Sequence, residues 1–273
     1  MRVLIIQLLG IATFSRATRL RSTASDGSWS VITLEEFEAI YGGNRVLAVI
    51  PARGGSKGVP RKNLRTVCGV PIVCRAGLCA NKVPEIDRVV VSTDDDEIAI
   101  VAESYDIAAP FRRPAEISGD NASDWEVMDH ALRIMDAEDG DPYDIVVLLQ
   151  PTAPLRRSKD VSGAIQMLID RRLDAVWTVT ETDLKYHPAK QMRVDDGLIS
   201  FVMPEGAAIP PRQFLDPVYH VNGVAYALTR QCVLEQRHRL GERTGAFIIN
   251  GPSLSIDSDE DFTAVEELLA RGA

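Results

Sequence analysis

Val46–Ile50 is a run of apolar, mostly β-branched residues that stops at Pro51, and a loop dense in glycine and positive charge follows at once. A short apolar run bounded in this way marks a buried strand. The loop holds Gly54, Gly55 and Gly58 together with Arg53, Lys57, Arg61 and Lys62. Glycine lets a backbone turn sharply and bring its N–H groups close to a ligand. Arginine forks onto phosphate oxygens, and lysine acts as a point charge. Together these residues describe a polyphosphate site at the end of a buried strand. Lys57 precedes Gly58, so no G-x-x-x-x-G-K-[ST] fits, and G-x-G-x-x-G does not fit either. The loop therefore points away from P-loop ATPases and dinucleotide oxidoreductases.

Beyond the loop the pattern alternates between strands and helices. A helix fits residues 71–82, with Pro71 at its first turn. Arg88–Ser92 reads as a strand and Asp95–Tyr105 as a helix whose first acids suit the dipole. A short strand fits Ile107–Phe111, and Ser123 caps a helix running to about 138. Asp144–Gln150 is an apolar strand, followed by a helix over 159–171 and a strand over 174–180. Strands apolar on both faces that alternate with helices imply an α/β fold, a mostly parallel sheet covered on two sides. Ligands of such sheets sit beyond the carboxyl ends of the strands. The glycine loop, Ser92-Thr93-Asp94 and Gln150-Pro151 all directly follow strands.

Residues 181–218 interrupt the alternation. Asp195-Asp196-Gly197 reads as a hairpin turn between Lys190–Val194 and Leu198–Met203, and Pro204, Pro210, Pro211 and Pro217 mark an irregular stretch. The core resumes with a strand over 220–228, a helix over 230–239, a strand over 245–250 and a helix from about 259.

The formal net charge of −9 argues against nucleic acid as the main partner and makes the cationic loop stand out. The cysteines, Cys68, Cys74, Cys79 and Cys232, show no C-x-x-C spacing, which suggests reduced thiols, with Cys74 and Cys79 packed in the core. The histidines form no ligand pattern with them. Residues 1–44 stand apart as an extension. Val3–Phe14 is apolar, Arg16, Arg19 and Arg21 follow, and no acid precedes Asp26. The run is too short to span a membrane, and Thr13-Phe14-Ser15-Arg16 is a poor cleavage site. A transit peptide and a start codon placed too far upstream both fit; the reading adopted is a non-core extension on a cytoplasmic enzyme. Thr33-Leu34-Glu35-Glu36 has the form of a capping box and predicts a helix over about 34–41.

From about residue 45 to the C-terminus the chain resembles the acylneuraminate cytidylyltransferases, which make CMP-activated nonulosonic acids from CTP. The resemblance rests on the glycine loop, Ser92-Thr93-Asp94, Arg113-Pro114, Leu149–Arg156, Val221-Asn222-Gly223 and Ile256-Asp257-Ser258, in family order and spacing. It implies a three-layer sandwich of nucleotide-diphospho-sugar transferase type over 45–273, with 181–218 as a small β-rich dimerisation insertion, and hence a homodimer. Arg53, Ser56 and Lys57, helped by the Gly54 and Gly55 amides, would take the β- and γ-phosphates. Lys62 would lie nearer the α-phosphate and Asn63 near the nucleotide. Arg113 with Ala122 and Ser123 would read the cytosine, a base that offers a carbonyl acceptor and an amino donor. Gln150 ends a buried strand, and its amide both donates and accepts, which suits a polyol acid. Asn222, Gly223 and, more loosely, Tyr226 would also face the sugar. Arg212 is a candidate for the acid's carboxylate. The catalytic set is then Arg53, Lys57, Lys62, Gln150 and Asp257.

The resemblance fails at one point. The family carries Asp-x-Asp before its last helix as a Mg²⁺ site, and this chain reads Ser255-Ile256-Asp257. Mg²⁺ needs few protein carboxylates, so Asp257 with Ser255 is the expected site. Three alternatives remain: an enzyme for 3-deoxy-manno-octulosonate, a glycosyltransferase of similar sheet topology that consumes a nucleotide sugar, and a relative that binds nucleotide without turnover. Close relatives acting on that octulosonate carry Gln-Gly-Asp-Glu-Pro where this chain has Gln150-Pro151-Thr152-Ala153-Pro154, which disfavours the first.

Overall fold

The computed structural model describes residues 43–272 except 57, 205 and 207–214, together with the short segments 21–22 and 29–30. The expected helix over 34–41, Lys57 and Arg212 lie outside the described residues. The chain divides into two units, Met1–Gly43 and Asn44–Ala273. In the first, β1 (Arg21–Ser22) pairs antiparallel with β2 (Trp29–Ser30).

The second unit is built on β3 (Val46–Pro51), whose side chains divide strictly between two faces. Val46, Ala48 and Ile50 enter one apolar core, and Leu47 and Val49 enter the other. This is the period of two expected of a strand buried on both sides. After β4 (Thr66–Val67) and β5 (Val70–Pro71), an antiparallel pair, come α1 (Ile72–Ala80), β6 (Arg88–Ser92) and α2 (Asp96–Glu103). They are followed by α3 (Asp124–Asp139), β7 (Ile145–Leu148), α4 (Ser158–Asp170) and β8 (Ala175–Glu181). The hairpin β9 (Met192–Asp195) and β10 (Leu198–Phe201) precedes β11 (Tyr219–Thr229), β12 (Thr244–Ile248) and α5 (Asp259–Ala270).

The central sheet has the order β12-β8-β11-β7-β3-β6. β3 pairs parallel with β6 and β7, and β12 pairs parallel with β8. β11 is antiparallel to both its neighbours. Residues of α1, α2 and α4 fill the core on one face, and residues of α3 fill the core on the other. This gives three layers and a mostly parallel sheet, as the alternation of elements requires. Because β11 runs backwards, its first residues lie at the edge where β3, β6 and β7 end.

Two expected elements differ. Ile107–Phe111 is not a strand; only Val90↔Ala108 and Thr93↔Arg112 pair as single bridges. Pro110 has no N–H to give a ladder and interrupts the run. The helix expected over 230–239 stops at Gln236, π-wound over Cys232–Gln236, because Arg237 takes a left-handed conformation at φ 51°. All four cysteines are free thiols, Cys74 and Cys232 buried, Cys79 partly so and Cys68 exposed. No helix among the described residues is long and apolar enough to cross a membrane.

Candidate active site

The glycine loop starts where β3 ends, and acids from the β6–α2 turn hold it. Gly54 N–H donates to Asp94 Oδ1 at 3.0 Å. Gly54 also tolerates no side chain, because a Cβ there would lie 2.5 Å from Asp95 Oδ2. Asp95 caps α2 by accepting from Ile98 N–H at 3.0 Å, and it pairs with Arg61, which also pairs with Glu97. The hydrogen bond from Arg61 holds the Asp95 carboxyl below the usual aspartate range, against the opposing effect of burial. Asn63 is buried and donates from Nδ2 to the Arg53 carbonyl at 3.0 Å, fixing where that arginine leaves the chain.

Beyond the strand ends opens a cleft of about 380 Å³. Arg53, Ser56, Lys62 and Asn63 line it from the loop, Arg113 and Ala122 from the opposite side, and Gln150 from the end of β7. Three of the six motifs, the glycine loop, Arg113-Pro114 and Leu149–Arg156, thus contribute residues to one space, and Ser92-Thr93-Asp94, Val221-Asn222-Gly223 and Ile256-Asp257-Ser258 do not line it. Arg113 is buried, donates from Nε to Ser118 Oγ at 3.2 Å and is anchored by its N–H to the Thr93 carbonyl at 2.7 Å. Burial lowers its pKa, and nearby Asp94 opposes the shift. A guanidinium retains its charge under such conditions.

Other expected residues are placed differently. The Gly54 amide is taken by Asp94, and neither Gly54 nor Gly55 lines the cleft. Ser123 is spent on the helix: its N–H and Oγ both donate to Glu126 Oε2, and its Oγ accepts from Glu126 N–H, a capping box that leaves neighbouring Ala122 at the cleft. The Asn222 side chain points inward. Its Oδ1 accepts from Thr178 Oγ1 (2.7 Å) and Val224 N–H (3.1 Å), and its Nδ2 donates to Thr180 Oγ1 at 3.0 Å. The amide secures a break of register in β11 between Val221 and Tyr226. At that break Gly223 takes φ +69°, and a Cβ there would lie 2.5 Å from Gln150 Oε1. Tyr226 is buried edge-on to Trp177, with ring centroids 5.0 Å apart, and does not line the cleft.

The structure adds residues the sequence reading missed. Asp120 lines the cleft and pairs with Arg53 at 2.8 Å. Asp124 lines it too, 3.5 Å from Gln150 Nε2 and 3.5 Å from Arg239 Nη1, with its carboxyl raised chiefly by burial. Arg239 stacks over Trp177 at 5.0 Å. The only sequence cue to Asp124 is its place just after the helix cap. Nothing in the sequence marks Asp120 or Arg239.

Ser255 and Asp257 are exposed on either side of buried Ile256, whose N–H donates to the Thr152 carbonyl at the cleft wall at 2.9 Å. The Asp261 carboxylate fixes the turn by accepting from the N–H groups of Asp257 (2.8 Å) and Ser258 (2.7 Å). Lys62 Nζ bridges to the cleft, donating to the Ile256 carbonyl at 3.0 Å and to Asp257 Oδ1 at 3.1 Å. One exposed carboxylate and one hydroxyl suit a hard cation that takes its other ligands from water and phosphate oxygens. Among the described residues no group of three acid, histidine or cysteine side chains forms a ready-made metal cage.

The sheet order, the loop after its first strand and a cleft at the strand ends define a nucleotidyltransferase-type α/β protein. Residues 47–209 match the family described as cytidylyltransferase, and the chain belongs to that family. A CMP-N,N'-diacetyllegionaminic acid synthase of Legionella pneumophila is 29% identical over 236 residues, covering 82% of this chain and 96% of that protein. A pseudaminic acid cytidylyltransferase of Campylobacter jejuni is 30% identical over 203 residues, covering 74% and 86%. An N-acylneuraminate cytidylyltransferase of Escherichia coli is 31% identical over 222 residues, covering 80% of this chain and 50% of that protein. Among solved structures, a CMP:2-keto-3-deoxy-manno-octonic acid synthetase complexed with CTP shares the fold, with a TM-score of 0.62 at 21% identity, covering 84% of this chain and 100% of that one.

Proposed function

We propose that this enzyme transfers the cytidylyl group of CTP to a nonulosonic acid, releasing pyrophosphate. The observation that carries the reading is the single cleft that joins loop cations and Arg113 to the Gln150 amide, in a cytidylyltransferase whose relatives are named for nonulosonic acids. A hydroxyl oxygen of the acid forms a bond to the α-phosphorus and loses its proton. The bond from that phosphorus to the bridging oxygen breaks, and its electron pair leaves with pyrophosphate.

Positioning and electrostatics supply most of such catalysis. Arg53 and Ser56 hold the outer phosphates, and Lys62 neutralises charge nearer the reacting phosphorus. Arg113 and the backbone at Ala122 read the cytosine. Gln150 orients the acid, and the Gly223 backbone packs against the Gln150 amide. Asp257 and Ser255 would hold Mg²⁺, which when bound would neutralise charge on the triphosphate and leaving group.

The hairpin β9–β10 presents Val194, Leu198 and Ile199 at 72%, 76% and 68% exposure. Apolar exposure on this scale favours burial against another chain, which supports a homodimer through 181–218. The free thiols agree with a cytoplasmic enzyme.

A pyrophosphate-release screen crossing four nucleoside triphosphates with several nonulosonic acids and 3-deoxy-manno-octulosonate tests the activity. CTP with a nonulosonic acid should give the fastest release. Equal rates with ATP or GTP would sink the base assignment, and CTP binding without turnover over a range of Mg²⁺ would mark an impaired relative. Light scattering tests the dimer: wild type should run as a dimer at micromolar concentration and Leu198→Asp as a monomer.

A further inference from the structure

Arg156 lies six residues beyond Gln150, on the far side of the cleft wall, and is 8% exposed. Its donors go to main-chain carbonyls alone. Nε donates to Val224 O at 2.6 Å, and Nη2 donates to Gln150 O at 2.6 Å and Gly223 O at 3.0 Å. Among the described residues no carboxylate pairs with it; the neighbouring Asp160 pairs with Arg157 instead. A buried guanidinium without an acid partner is unusual and calls for a structural reason.

The backbone supplies one. The β7–β11 ladder ends at Leu148↔Tyr226, and β11 breaks register with β8 between Val221 and Tyr226. The carbonyls of Gly223 and Val224 fall within that break, and that of Gln150 lies past the last pair. Buried carbonyls need donors; Gln150 O also accepts from Ala153 N–H at 3.2 Å, and one planar fork reaches all three carbonyls. Asn222 secures the same bulge from β8 through Thr178 and Thr180. The clearance it sets is small, since the Cβ position of Gly223 is 2.5 Å from Gln150 Oε1.

We infer that Arg156 is a positioning residue for the acid-binding wall: it ties the end of β7 to the bulge of β11 and so fixes the Gln150 amide relative to the Gly223 backbone. This rests on the assignment of that wall to the nonulosonic acid. Arginine is required because lysine offers its donors from a single point on a different reach.

The test uses the full chain carrying Arg156→Lys or Arg156→Met. Amide exchange should quicken over 150–152 and 222–226 in both variants and stay unchanged over 52–64. The KM for the nonulosonic acid should rise roughly tenfold to a hundredfold, the scale of a small misplacement of substrate. The KM for CTP and its calorimetric affinity should stay within about twofold of wild type, because no bond of Arg156 reaches the loop or Arg113. If the methionine variant does not fold, the lysine variant, which keeps the charge, carries the test. Unchanged exchange at both segments overturns the clamp. An equal rise in both KM values assigns Arg156 to general stability and overturns the positioning role. If wild type turns over no nonulosonic acid, the proposed activity falls, and exchange still decides the clamp.

Discussion

The glycine loop and the wall opposite it border one cleft and are held by opposite chemistry. On the loop every described cation has an acid: Arg53 pairs with Asp120, Arg61 with Asp95 and Glu97, and Lys62 with Asp257. On the wall the bonds run between an amide, threonine hydroxyls, backbone carbonyls and Arg156, with Asn222, Thr178 and Arg156 buried. Exposed ion pairs are worth roughly 0–1 kcal/mol each, so a triphosphate with its cation can replace those partners at small cost. A buried donor or acceptor left without a partner costs about 1–3 kcal/mol, so the wall resists change. On the proposed assignment, a polyanion of variable shape would meet an adaptable, charge-compensated loop, and a sugar of fixed stereochemistry a stiff surface.

The largest effect should fall on the loop and on rate rather than stability. Lys62→Ala should lower kcat/KM about 30- to 1,000-fold, the roughly 2–4 kcal/mol expected of a phosphate contact that strengthens in the transition state. Calorimetric Tm should move by no more than about 2–4 °C, the equivalent of about 1 kcal/mol in a domain of this size. If Tm falls steeply while the surviving enzyme keeps its rate, the bond from Lys62 to the Ile256 carbonyl is the residue's main task. The loop would then resemble the wall.

On the wall the order should reverse. Asn222→Ala removes the partners of Thr180 Oγ1 and Val224 N–H and one partner of Thr178. It should cost about 2–3 kcal/mol and lower Tm by roughly 5–10 °C, with the CTP affinity of the folded enzyme kept. An unchanged Tm with a raised KM for the acid would return Asn222 to the role the family resemblance gave it, facing the sugar.

The same contrast explains what the sequence disclosed. β3, β6 and β7 were legible because strands buried on both faces read as unbroken apolar runs, and α3 because Ser123 marks its cap. The loop's cations were legible because they crowd ten positions, but their acid partners come from elsewhere in the chain. The inward turn of Asn222 depends on Thr178 and Thr180, more than forty residues away. Arg156 could be quoted as part of a motif, but only the fold shows three carbonyls meeting it. The helix expected over 230–239 failed at Arg237, whose left-handed conformation no local residue preference announces.

The smallest effect bears most directly on charge. Asp95→Asn keeps the cap of α2, since asparagine and aspartate cap about equally well, and removes the charge that faces Arg61. Arg61 is 41% exposed, so the loss at neutral pH should be only about 0.5–1 kcal/mol, with a modest rise in the KM for CTP. Because the folded Asp95 carboxyl is held below its ordinary value near 3.8, its contribution is present above that value. It is lost as pH falls through the lower, folded pKa, where the carboxyl is protonated in both states. Urea midpoints of wild type and Asp95→Asn should therefore differ at pH 7 and 5 and converge as pH drops below 3.8. The deficit of Asn222→Ala should persist over the same range, because no carboxylate enters its bonds. A constant gap for Asp95→Asn down to the lowest pH would mean that shape, not charge, holds the loop to α2, and the two sides of the cleft would be held by the same means.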